Sequence, residues 1–189
     1  MVRVMKTIAI LLHDGFEQTE ALATMDILHR SHAFDIILLS DMDGLEVKSS
    51  SGLIVKADKL LRDSSTDDFD IMVIPGGKAG VEGLYASEPA MSLIKKTIAE
   101  GKHVHAICAA PSILGRIGYL KGKKATCFPG FELGEADWQD ESVVVDGITV
   151  TGRSMGYSID FAHAIVKLEA GEEADKRIYA GQLGLRAKE

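Results

Sequence analysis

Four short runs of the chain are apolar almost without interruption: Thr7–Leu12, Asp35–Ser40, Ile71–Ile74 and His103–Ile107. A run of this length with no polar alternation predicts a strand covered on both faces, as in a parallel sheet. Later, Ser142–Val145 and Ile148–Thr151 flank Asp146-Gly147, and Asp-Gly between two β-branched runs predicts a hairpin. Between the strands the pattern changes to helical spacing. Ala21, Leu22, Met25 and Leu28 share one face of a helix over Glu17–Ser31. Ser87–Glu100 reads as a helix capped by Ser87, with Pro89 in its first turn and Gly101 at its end. Ser158–Ala170 is a third, stopped by Gly171. Alternating strands and helices predict a doubly wound α/β sheet. Arg62–Asp70 is a polar connector too short to link domains, and no repeat or low-complexity tract interrupts the chain. Residues 1–189 therefore read as one domain.

Composition narrows the function. At 46% hydrophobic and 26% charged residues the chain is ordinary for a soluble globular protein. Its formal net charge of −7, with no Lys/Arg block, argues against nucleic-acid binding. The segment Met-Val-Arg-Val-Met-Lys-Thr leads into Ile8–Leu12, which is too short for a membrane span or a signal-peptide core. Two cysteines, Cys108 and Cys127, make no disulfide framework and suit a reducing compartment. The expectation is a cytoplasmic protein with no membrane partner.

The stretch Ala106-Ile107-Cys108-Ala109-Ala110-Pro111 ends an apolar strand abruptly at a thiol. Small residues follow, then a helical run through Ile113 and Leu114. This is the logic of a nucleophile elbow, which presents a side chain at the C-terminal end of its strand. A helix N-terminus beside Cys108 would favour the thiolate; the competing reading is a buried structural cysteine. Ile74-Pro75-Gly76-Gly77 follows the third strand, and a glycine pair there can aim backbone N–H groups at a developing oxyanion, or can be only a tight turn. Gly15-Phe16-Glu17-Gln18-Thr19-Glu20-Ala21 follows the first strand, with Glu17 and Glu20 on one face of a helix start. Acidic residues are favoured in a first turn in any case. If Glu20 turns into the crevice, burial raises its pKa and lets it relay a proton.

Of six histidines, His13 ends the first strand and could approach the site. His103 and His105 lie before the elbow, where packing or solvent contact is expected. His29, His32 and His163 are expected at the surface or an interface. No His-x-x-x-His or Cys-x-x-Cys spacing points to a metal. No Gly-x-Gly-x-x-Gly or Walker loop points to a nucleotide cofactor.

Taken in order, these segments and Thr149-Val150-Thr151-Gly152-Arg153-Ser154-Met155-Gly156 resemble the ThiJ/PfpI superfamily, in the branch holding the parkinsonism-associated deglycase and its bacterial relatives. The resemblance runs from about Thr7 to Leu168. It implies a flavodoxin-like three-layer sandwich, a homodimer and no cofactor or metal. It implies Cys108 as nucleophile and Glu20 as its protonated partner, with the amides of Gly77 and Ala109, beside Gly76, forming an oxyanion pocket. Arg153 is implied close to the site or the dimer interface. Two departures stand out. Ala109 occupies the place of a histidine in protease-like members, and Phe128 in Ala125-Thr126-Cys127-Phe128-Pro129 occupies that of a histidine in deglycase-type members. Cys127, Glu17 and His13 are possible accessory groups. The expected activity is cofactor-free conversion of a small reactive carbonyl, such as glyoxal or methylglyoxal, or of a glycated thiol or amine. The alternative is a redox-sensing stress protein or chaperone whose cysteine is oxidised to sulfinate. An amidase-type activity ranks last, because no histidine stands at the triad position.

Overall fold

The computed structural model of the protein describes residues 5–185, so Met1–Val4 of the opening segment lie outside the described residues. In chain order the elements are β1 (Lys6–Leu12), α1 (Gln18–Arg30), β2 (Phe34–Ser40), β3 (Glu46–Lys48), β4 (Ile54–Lys56), β5 (Lys59–Leu60), β6 (Ile71–Ile74), α2 (Lys78–Ala86), α3 (Glu88–Ala99) and β7 (His103–Ile107). They continue with α4 (Pro111–Arg116), β8 (Lys124–Ala125), β9 (Asp137–Trp138), β10 (Val143–Asp146), β11 (Thr149–Gly152), α5 (Ser158–Ala170) and α6 (Glu172–Gln182).

Seven strands form the central sheet in the order β10-β11-β7-β6-β1-β2-β5, and every neighbouring pair is parallel except the β10–β11 hairpin. The uninterrupted apolar runs have a simple cause: both faces of the sheet are covered. Ala9 and Leu11 of β1 face the side packed by α2, α3 and α4, with Met72, Ile74, Val104 and Ala106. Ile8, Ile10 and Leu12 face the other side, against Leu28 of α1, Phe161 and Ile165 of α5, and Ile178 of α6. Successive side chains on a strand point to opposite faces, so one apolar run supplies both cores. The result is an α/β sandwich with helices on both faces of a mostly parallel sheet.

The expected strands and helices appear within a residue or so of their predicted bounds. Ser87 caps α3 by accepting the Ala90 amide, with Pro89 in the first turn. The same hydroxyl donates to Asp41 at 2.8 Å. Ser87→Ala should therefore cost about 1 kcal/mol, visible as a lower urea midpoint with unchanged slope. An unchanged midpoint would show that the cap contributes nothing.

Several elements escaped the sequence reading. Two 3₁₀ turns, 61–63 and 66–68, run into and through the Arg62–Asp70 connector, the second closed by a Ser65/Asp68 capping box. The small β3–β4 hairpin is fastened to the β1–α1 loop, where Asp14 Oδ1 accepts the Lys48 amide at 2.8 Å and Gly15 N–H donates to the Lys48 carbonyl at 2.7 Å. His163 corrects the surface expectation. Its ring is buried between α5 and α6, with Nδ1 2.5 Å from Asp175 and Nε2 2.6 Å from Gln182.

Candidate functional site

The loops after β1, β6 and β7 leave the same edge of the sheet, because the three strands are adjacent and parallel. The chain runs from β1 to β2 on one side and returns to β6 on the other, so a crevice opens outside their C-terminal ends. Into it come Cys108 from the β7 turn, Gly76 and Gly77 from the β6 turn, and Glu20 from the first turn of α1.

Cys108 sits at φ 63, in the left-handed region that a non-glycine residue rarely adopts. Such a conformation costs of order 1–3 kcal/mol and persists only where its surroundings enforce it. Two hydrogen bonds do so here. Cys108 N–H donates to the Gly152 carbonyl at 2.9 Å, and the Phe128 amide donates to the Cys108 carbonyl at 2.8 Å. The thiol is left half-buried at the mouth of the turn.

Glu20 is 1% exposed, which is exceptional for a carboxylate. Oε2 accepts the Gly76 amide at 2.7 Å. Oε1 is buried with no hydrogen-bond partner, and the carboxylate and Cys108 Cβ flank the same face of Gly76. Glu17 stands behind it as the α1 cap, its side chain accepting the Glu20 amide at 2.7 Å. The glycine pair is dictated by space. A Cβ on Gly76 would lie 2.5 Å from the Glu20 carboxylate and 2.7 Å from Cys108 Cβ. Gly77 has φ +90, and a Cβ there would lie 2.4 Å from the Gly15 carbonyl.

Burial lifts the Glu20 carboxyl from 4.5 to about 7, with the Cys108 and Gly76 hydrogen bonds opposing and the charge of Glu17 adding. Burial, then the charge of Glu20 and its hydrogen bond, push the Cys108 thiol up to about 12, while the Ala109 and Gly77 amides pull it down. The expectation of a thiol held low by a helix N-terminus is thus not met. Helix α4 begins three residues on, at Pro111, and burial beside a carboxylate outweighs the amides. The two groups titrate as a pair. The pair loses its first proton near pH 7 and keeps the second far above it. Transfer of the remaining proton from sulfur to Glu20 would give a thiolate beside a neutral acid, a charge that the Gly77 and Ala109 amides favour.

The remaining candidates are placed as follows. The Gly77 and Ala109 amides favour the Cys108 thiolate, whereas the Gly76 amide is committed to Glu20. Arg153 follows the Gly152 carbonyl that holds the Cys108 amide, but its guanidinium is engaged by Asp140 at 2.7 Å and its Nε by the Glu141 carbonyl at 3.1 Å. Cys127 turns into the core, its Sγ 3.2 Å from the Phe131 carbonyl, and burial raises its pKa to about 11. His13 lies against α2, where a Cβ on Gly83 would come within 2.2 Å of the ring.

Among the described residues, His103, His105 and Glu169 are the one trio whose metal-binding atoms lie within 4.8 Å of one another. They sit at the opposite end of β7 from Cys108. The Val150 amide donates to His105 Nδ1 at 3.0 Å, which puts the ring proton on Nε2 and removes the lone pair a metal would need. Glu169 also accepts from Lys6 at 2.8 Å and hydrogen-bonds His103. The arrangement is a hydrogen-bonded clasp joining α5 to β1 and β7.

The sequence pattern of the DJ-1/PfpI family matches residues 6–168. The chain belongs to the DJ-1/PfpI family. Within it, the chain is 37% identical over 169 residues to the Arabidopsis thaliana protein DJ-1 homolog B, covering 88% of this chain but 38% of that one. It is 33% identical over 165 residues to a deglycase of Pyrococcus abyssi, covering 85% of this chain and 98% of the relative. The oxidized DJ-1 of Toxoplasma gondii has the same architecture, with a TM-score of 0.88 at 31% identity over 96% of this chain and all of that one. The chain spans less than half the length of the two Arabidopsis DJ-1 homologs it matches, 38% and 45%. No helix among the described residues is long and apolar enough to cross a membrane.

Proposed function

We propose that this DJ-1/PfpI protein converts small α-oxoaldehydes, such as glyoxal and methylglyoxal, to hydroxy acids, using Cys108 and Glu20 and no cofactor. The observation that supports this most is the meeting of a fully buried Glu20 carboxyl and Cys108 at Gly76, with the Gly77 and Ala109 amides favouring the thiolate. The Cys108 thiolate adds to the aldehyde carbon. The carbonyl π pair moves to oxygen, which rests on those amides and takes up a proton, giving a hemithioacetal. A proton leaves the former aldehyde carbon and another is delivered to the neighbouring carbon through an enediol, with Glu20 as carrier. The product is an α-hydroxy thioester. Water then cleaves its C–S bond, releasing the hydroxy acid and the free thiol. One carbon is oxidised and its neighbour reduced, so no outside oxidant is needed. The relative named a deglycase is consistent with a carbonyl or glycated amine as substrate. The reading includes a cytoplasmic homodimer acting in stress defence. The test is to mix purified protein with methylglyoxal in cofactor-free buffer and follow lactate. Absence of lactate above the protein-free control would reject the proposal.

A second reading, redox sensing, is favoured by the half-buried thiol and by a relative whose structure is of its oxidized form. Mild peroxide should add two oxygens to Cys108 and leave Cys127, buried and hydrogen-bonded to the Phe131 carbonyl, untouched. Peptide mass spectrometry would show this, and equal oxidation of both sulfurs would count against it.

A further inference from the structure

We propose that Phe128 sets substrate choice at this site, favouring α-oxoaldehydes whose ketone carbon bears an aryl or other large apolar group over glyoxal. The inference rests on the carbonyl-addition reading above. Phe128 is 44% exposed, although large aromatic side chains contribute most when buried. Its place is not incidental. Its own amide is bonded to the carbonyl of the nucleophile at 2.8 Å, so the ring is carried on the residue tied directly to the elbow.

Three features hold the ring ready. The neighbouring Cys127 side chain is turned into the core and bonded to Phe131, leaving Phe128 as the first exposed residue of the segment. Pro129 restricts the backbone of Phe128 to extended conformations. Phe131 stands edge-on to it, with centroids 6.4 Å apart at 73°. An aromatic side chain fixed in this way offers contact area with little rotamer entropy to lose on binding.

The polar groups nearby point to the same choice. The Arg153 guanidinium is bound by Asp140 and the Glu141 carbonyl, so it is not free to clamp an anionic substituent. On this proposal the exposed Phe128 ring receives the part of a substrate remote from the reacting carbon. Glyoxal, with only hydrogen on its second carbon, has nothing to place there.

The experiment compares kcat/KM for phenylglyoxal, read as mandelate, and for glyoxal, read as glycolate, in wild type, Phe128→Ala and Phe128→Leu. Loss of one aromatic contact predicts a fall in the phenylglyoxal-to-glyoxal ratio of about fivefold to tenfold in Phe128→Ala, carried by KM for the aryl substrate. Phe128→Leu should fall in between. A ratio that moves by less than about twofold in Phe128→Ala overturns the proposal. A parallel arm needs no turnover: the rates at which N-phenylmaleimide and N-methylmaleimide alkylate Cys108, followed by intact mass. The phenyl-to-methyl rate ratio should fall by a similar factor in Phe128→Ala, and an unchanged ratio counts against Phe128. If wild type turns over neither carbonyl, the enzymatic reading fails, and the maleimide ratio still decides whether Phe128 selects aryl groups.

Discussion

Cys108→Ser should lower hydroxy-acid formation from methylglyoxal by at least about a thousandfold, because it removes the sulfur that forms the covalent intermediate in the proposed mechanism. The substitution is nearly isosteric, and the two backbone bonds that shape the turn, to Gly152 and from Phe128, do not involve the side chain. The fold and its melting behaviour should therefore be retained. That separates lost chemistry from lost structure. Lactate yields from Cys108→Ser equal to wild type, measured on folded protein, would remove the thiol from the mechanism. Residual activity that survives prior alkylation of Cys108 would do the same.

Glu20→Gln should have two effects of opposite sign. On activity it removes the proposed proton carrier, and general acid–base groups contribute about 100- to 10,000-fold. The pH profile should change as well. In wild type the pair loses its first proton near pH 7, so Cys108 alkylation should climb through about pH 7 and then level. With glutamine at position 20 no carboxyl titrates. The thiol then ionises alone, still raised by burial, and the rise in rate should move above the ordinary cysteine value of 9.0. An identical profile in both proteins would dissolve the pair.

On stability the same change should help. Burial raises the folded-state pKa of Glu20 from 4.5 to about 7. Below pH 4.5 both folded and unfolded chains hold the proton and nothing is lost. Between about 4.5 and 7 the unfolded chain releases it while the folded one does not, so stability declines as pH rises. Above pH 7 the loss is complete, at about 3 kcal/mol for a difference of this size. Glutamine can still accept the Gly76 amide and carries no such proton. The stability gap between Glu20→Gln and wild type should therefore widen by about 3 kcal/mol from pH 4.5 to 7.5 in urea titrations. A gap independent of pH would mean that Glu20 is not held neutral by its site.

Much of this was legible in the sequence because the governing patterns are local. Ile8–Leu12 and Ile71–Ile74 announce strands buried on both faces, Asp146-Gly147 a hairpin, and Ser87 with Pro89 a helix start. Helix α2 was missed because Gly80 and Gly83 interrupt its apolar spacing. Those glycines answer to a distant loop: a Cβ on Gly80 would lie 2.8 Å from the Phe16 amide nitrogen. Strands β3, β4 and β5 were missed because each spans only two or three residues; the β3–β4 hairpin is fastened to Asp14 and Gly15, and β5 pairs with β2 some twenty residues before it. At the site, which residues converge could be read from their place after successive parallel strands. The ionisation of the thiol could not, since it depends on how deeply Glu20 is buried, a product of tertiary packing. The engagement of Arg153 by Asp140 and of His163 by Asp175 is likewise visible only in three dimensions.

The two main-chain bonds at Cys108 also bear on when the elbow takes shape during synthesis. One is made to Gly152, forty-four positions downstream, and the other comes from Phe128, twenty positions downstream. Until those segments have emerged and folded, nothing holds residue 108 in its left-handed conformation, although Glu20 left the ribosome long before. A nascent or truncated chain ending before β11 would carry an ordinary cysteine. On the proposed mechanism, the order in which the chain is made would keep an unfinished polypeptide from carrying a working nucleophile.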